Sequence, residues 1–141
     1  MEPRDIALSN ARGRMLIGAI LVLAPGMAKG MWIGSDADRP AVKVLARGLG
    51  ARDLALGLGI AVAIDRGAPV RGWLEGAALA DGVDLAATLL AGDSIPRGKR
   101  RMVALVAGAS LATCAWLARA LDTPPGEHEV SVPEAHLTGH A

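Results

Sequence analysis

The stretch AVKVLARGLGARDLALGLGIAVAI, residues 41–64, decides how the rest of the chain is read. It has the length and apolar content of one continuous helix, with Pro40 ahead of it and Asp65-Arg66-Gly67 behind it as start and stop signals. Three charges interrupt its interior: Arg47, Arg52 and Asp53. Each costs roughly 2.5–3.5 kcal/mol at the centre of a membrane helix on insertion scales. Such side chains are therefore expected to face a bundle interior, to pair, or to sit at an interface.

A second stretch, GWLEGAALADGVDLAATLLA at residues 72–91, follows Pro69 and carries Glu75, Asp81 and Asp84. Two more apolar segments complete a set of four. The first runs from about residue 14 to residue 24, stops at Pro25-Gly26, and is the weakest span of the set. Lys29 and Trp32 after it suit a headgroup-level stretch over residues 27–34. The fourth begins after Pro96 and the basic run Arg97, Lys99, Arg100 and Arg101, and continues to about residue 121. Apart from the first, each approaches the ~20 residues needed to cross a bilayer. Residues 1–10, with Glu2, Arg4 and Asp5, lead into an apolar stretch without an A-x-A cleavage site, so the first helix is read as retained.

Composition agrees with helices packed in lipid. Of 141 residues, 52% are hydrophobic, yet there is no Phe, no Tyr and only Trp32, Trp73 and Trp116, while 18 are Gly. Soluble cores draw volume from aromatic rings, whereas membrane helices approach closely through small residues. Small residues recur every four positions at Ala51, Ala55, Gly59 and Ala63, at Gly76 and Ala80, and at Ala104, Gly108 and Ala112. The expected fold is all-α: a four-helix transmembrane bundle with short loops over residues 1–121, and a polar, disordered C-terminal tail over residues 122–141. That tail holds Pro124, Pro125, Pro133 and the only histidines, His128, His136 and His140, whose spacing fits no compact metal motif. The expected location is the plasma membrane, multi-pass. Lys and Arg divide almost evenly between the two sides, and the dense run from Arg97 to Arg101 favours the cytoplasm for its loop. A soluble bundle is the alternative, because the uninterrupted apolar part of residues 54–64 has only core-helix length.

The net charge of +1 and the lack of a basic stripe with interleaved aromatics speak against nucleic-acid binding. One cysteine, Cys114, lies in an apolar run and reads as a small buried residue. The chain has no P-loop, G-x-G-x-x-G, H-E-x-x-H or nucleophile elbow, and Ser94 and Ser110 have no histidine in the helical region to activate them. No cofactor and no metal are expected.

Depth along the helices, at 1.5 Å per residue from the short connection, brings charges together. Asp53 and Arg52 lie roughly 17–18 Å from that connection, Asp84 at roughly 17 Å and Asp81 at roughly 12 Å, so Arg52 is expected to meet Asp84. Ala77, Asp81, Asp84 and Thr88 share one helical face, and Glu75 falls on another near the helix start. The expected site is Arg52 and Asp53 on the second helix with Asp81 and Asp84 on the third, two guanidinium groups being counted by including Arg47. A carboxylate short of a partner in a low-dielectric bundle favours its neutral form, a usual condition for a general acid, a proton relay or a cation site.

The run Gly50-Ala51-Arg52-Asp53-Leu54-Ala55-Leu56-Gly57 resembles the G-x-R-D-L-A-L-G signature of a family of small four-helix membrane proteins, a domain of unknown function found in actinobacteria and fungi. The family's following G-W-L/A-L-x-D pattern is similar to Gly72-Trp73-Leu74 and Ala78-Leu79-Ala80-Asp81. The likeness covers about residues 12–121. It implies a membrane bundle and brings no activity with it. The first functional reading is a structural or accessory membrane protein, or one that binds a lipophilic small molecule, with the bilayer, a homo-oligomer or a larger membrane complex as partners. The alternative is a membrane-embedded acid/base enzyme, a hydrolase, isomerase or cyclase, in which Arg52 orients, Asp84 is the acid or base, and Asp81 or Asp53 completes the set. A second alternative is a proton or cation path through the carboxylates.

Overall fold

Pro3 occupies the first position of α1 (Pro3–Leu23), where its missing amide proton is not needed, and the Glu2 amide donates to the Asp5 carboxylate at 3.2 Å. The structure is a computed structural model that describes residues 1–28 and 34–121, with residues 34 and 35 described by backbone alone. Pro25 ends α1 in a short 3₁₀ turn, Pro25–Met27. A second 3₁₀ turn, Gly34–Asp38, leads into α2 (Pro40–Asp65), again with proline at its first position. Then come α3 (Arg71–Leu90), a 3₁₀ turn at Gly92–Ser94 and α4 (Arg97–Ala120). Gly67 and Gly92 follow α2 and α3 at φ +64° and +53°, the left-handed conformation that lets a chain leave a helix without a Cβ clash.

Among the described residues the fold is all-α, four helices without a strand. The helices form two close pairs: α1 lies along α2 and α3 along α4, with sparser contact between α2 and α3 and between α1 and α4. The α1–α2 pair is antiparallel and very close. A Cβ on Gly18 would come within 2.6 Å of the Gly50 carbonyl oxygen, and one on Gly57 within 2.6 Å of the Ala11 carbonyl oxygen. Only glycine allows two backbones that near.

The contact face of α2 is thus turned from the one expected. Ala51 and Ala55, the first members of the four-residue repeat, are exposed, whereas Gly50 and Gly57 are buried. Gly59, further along that repeat, does pack, with the Trp73 ring of α3 where its side chain would be. The reason is that α2 meets α1 and α3 on different faces, and a stripe of small residues does not say which partner it serves.

Two apolar clusters fill the bundle. One, near the α2–α3 connection, joins Ala7 and Ala11 of α1, Ile60 and Ile64 of α2, Leu74 and Ala77 of α3, and Cys114 and Leu117 of α4. The other gathers Leu21, Ala28, Ala37 and Ala46 at the opposite end of the α1–α2 pair. Between them lie the charges. Large aliphatic side chains face outward on every helix: Leu16 is 63% exposed, Leu45 72%, Leu79 70% and Leu105 74%.

Two of the four helices, α1 and α4, are long and apolar enough to cross a membrane; α2 and α3, which carry most of the interior charges, fall short of that measure. The first helix, expected to be the weakest span, is among the two because it begins at Pro3 and not near Arg14. The headgroup stretch assigned to Lys29 and Trp32 and the tail with its three histidines lie outside the described residues.

Candidate functional site

Five charged side chains form one continuous chain of ion pairs across α1, α2 and α3. Arg52 grips Asp84 with both terminal nitrogens, Nη1 to Oδ1 at 3.0 Å and Nη2 to Oδ2 at 2.7 Å, a two-point fork that fixes the α2–α3 register. Its Nη2 also donates to Asp53 Oδ1 at 3.3 Å. The same Asp53 oxygen accepts from Arg14 Nη1 at 3.1 Å, and Arg14 Nη2 donates to Asp81 Oδ2. The order is therefore Asp84, Arg52, Asp53, Arg14, Asp81.

Arg14 is the centre of this arrangement. Its side chain is 7% exposed, against 9% for Asp81, 13% for Asp53, 20% for Asp84 and 30% for Arg52. Every part of its guanidinium is engaged: Nε donates to Asn10 Oδ1 at 3.2 Å, and Nη2 also reaches the Ala77 carbonyl oxygen at 3.5 Å and Ser110 Oγ at 3.3 Å. Asn10 Nδ2 donates to the same Ser110 oxygen at 3.3 Å, and the Cys114 thiol lies 3.6 Å from Asn10 Oδ1. All four helices thus supply at least one polar group. Two buried polar atoms beside the network have no partner, Arg52 Nε and Thr88 Oγ1.

The expected pair of Arg52 and Asp84 is present, and Asp53 and Asp81 join the same network. Asp81, however, is held by Arg14 and not by Arg52. Arg47 is exposed and outside the cluster, so the second guanidinium comes from α1. Cys114 is buried as expected, but it borders the polar network rather than a purely apolar core. Glu75 is peripheral, pairing at 2.7 Å with Arg71 one turn away on the exposed face of α3.

Arg14 was legible by its spacing. Ala7, Ala11, Arg14, Gly18 and Leu21, the buried residues of α1, recur at alternating intervals of four and three, the period of one helix face. Placing the helix start at residue 14 hid that face.

Beside the network lies a cavity of about 300 Å³, at the lower end of the size of small-molecule sites. Arg14, Asp53, Asp81, Asp84 and Ser110 form its floor. Ile17 of α1 and Met102, Val103, Val106 and Ala107 of α4 form an apolar wall. Ile17, Met102 and Val106 are 37%, 48% and 60% exposed, so the mouth opens sideways between α1 and α4, where those two helices touch sparsely. Among the described residues no group of three or more His, Cys, Asp or Glu side chains is placed to hold a metal ion. No family model matches the chain, and neither curated proteins nor solved structures give a match.

Proposed function

We propose that this chain is a small multi-pass membrane protein of the family with the G-x-R-D-L-A-L-G signature, and that it holds a lipophilic small molecule in the cavity between α1 and α4. The distribution of side chains supports the membrane reading: the five charges of the network face inward, while large leucines on all four helices face outward, apolar surface of the kind that a lipid contact would cover. Charged groups on α2 and α3 lower the apolarity of those helices, but they do so on faces covered by the other helices.

The observation that carries the binding role is the cavity. An ion-pair network that served only to set helix register has no need of an adjoining open cavity floored by its own carboxylates. A charged floor under an aliphatic wall, open at its side towards the lipid, suits an amphiphile that arrives through the bilayer.

Catalysis is a second reading, favoured by the three carboxylates Asp53, Asp81 and Asp84 that line one cavity. In it Asp84, oriented by Arg52, is the acid or base towards the bound molecule, and Asp84→Asn abolishes turnover while the chain still folds.

The test is to express the full chain, wash the membranes with alkaline carbonate, purify the protein in mild detergent, and identify co-purifying lipophilic molecules by mass spectrometry. The expected result is retention in the washed membranes and a bound molecule that is lost in Ala107→Leu, which fills the cavity from its wall. Release into the soluble fraction would refute the membrane assignment. An identical set of molecules in both proteins would refute the binding site.

A further inference from the structure

We infer that the occupant of the cavity is a protonated lipophilic amine, an inference that rests on the binding role proposed above. Three carboxylates, Asp53, Asp81 and Asp84, face two guanidinium groups, Arg14 and Arg52, so the network needs one more positive charge, met by a proton on one carboxyl when the cavity is empty or by a cationic occupant. The imbalance is buried between two apolar clusters, where an unmatched charge is unfavourable. All three carboxylates border the cavity, while Arg52 grips Asp84 from outside its lining. The missing cation therefore belongs on the cavity side.

The donors disfavour the opposite charge. An anionic headgroup needs free N–H groups, and Arg14 is the one cation in the lining. Its Nε and both terminal nitrogens are already committed to Asn10, Asp53, Asp81 and the Ala77 carbonyl. The lining offers carboxylate oxygens, which are acceptors for an ammonium N–H, whereas Ser110 Oγ already accepts from Arg14 and Asn10. No aromatic ring is among the lining residues, so the site lacks the cage that recognises a quaternary ammonium through its faces, and recognition falls to N–H donors on a protonated amine. The alkyl part lies along Val103 and Ala107 and leaves past Ile17 and Val106, towards the outer surface.

Three probes of equal chain length separate the possibilities: octylamine, protonated at neutral pH as a lysine side chain is, octanol, and octanoate. Each is titrated into the full chain in detergent, and the midpoint of thermal unfolding is followed, with protein-free micelles at the same total concentration as reference. The expected result is saturable stabilisation by octylamine at about a tenfold lower concentration than by octanol, and none by octanoate, as a charge-assisted hydrogen bond implies. Asp84→Asn or Asp81→Asn removes one negative charge and brings octylamine to the level of octanol. Both variants are made because either could fold poorly, and the comparison within the unmodified chain stands without them. Octanol equal to octylamine in the unmodified chain, or octanoate as the best of the three, overturns the inference while the cavity keeps its role as a binding site. No stabilisation by any of the three overturns the binding role together with the inference.

Discussion

Replacing Arg14 with leucine tests its place as the buried centre of the charge network, because its guanidinium also bonds Asn10, Ser110 and the Ala77 carbonyl. The substitution keeps apolar volume on the inner face of α1 and removes the donors to Asp53, Asp81, Asn10 and Ser110. Asp53 keeps Arg52 at 3.3 Å, but Asp81, 9% exposed, is left without a cation. Removing one partner of a buried pair costs about 3–5 kcal/mol. The cavity beside Asp81 admits some relaxation, which places the expected loss near the lower limit, about 3 kcal/mol or two orders of magnitude in the folding equilibrium. Arg52→Leu is the comparison. Its side chain is 30% exposed and its partner Asp84 20% exposed, so the loss is about 1–2 kcal/mol, that of charge-assisted hydrogen bonds near a surface. Both are read from unfolding in mixed micelles of mild detergent and dodecyl sulfate, followed by far-ultraviolet circular dichroism. The double variant Arg14→Leu with Asp81→Leu removes both ends of the pair and recovers about 1–2 kcal/mol relative to additivity. A loss for Arg14→Leu no greater than for Arg52→Leu, or strict additivity with Asp81→Leu, would show that Arg14 is not the buried centre of the cluster.

Other substitutions probe packing rather than charge. Gly18→Ala sets a methyl group against the Gly50 carbonyl and is expected to cost about 1–3 kcal/mol, whereas Gly13→Ala, with nothing within 4 Å, gains up to about 1 kcal/mol from helix propensity; the same unfolding assay gives both signs, and equal effects would contradict the close α1–α2 contact. Thr88→Val exchanges a buried hydroxyl that has no partner for a methyl of the same shape, so a gain of about 1 kcal/mol is expected, and a marked loss would mean that the hydroxyl is bonded.

Much of the site was readable before any coordinates. Counting residues from the α2–α3 connection placed Arg52 and Asp84 at equal depth because helical rise is constant, and a short connection leaves two neighbouring helices little freedom of register. The inward turn of those charges was expected from the unfavourable energy that a charge on a membrane helix would have facing lipid. The same reasoning could not find Ser110 and Cys114 as neighbours of Arg14, since they lie on a helix separated from α1 by the length of the chain. Arg14 itself was within reach, and was hidden only by placing the start of α1 eleven residues too late.

The sequence alone determined four helices, their order, and which faces of α2 and α3 carry charge, because proline, glycine and the 3.6-residue period act locally. Tertiary structure decided that α1 supplies the second guanidinium, that α2 uses Gly50 and Gly57 rather than Ala51 and Ala55 for its closest contact, and that a void lies between α1 and α4 beside the carboxylates. Those three facts depend on how each helix rotates about its own axis against the others. That rotation is set by the summed packing of all four helices, and no local segment of the chain carries it.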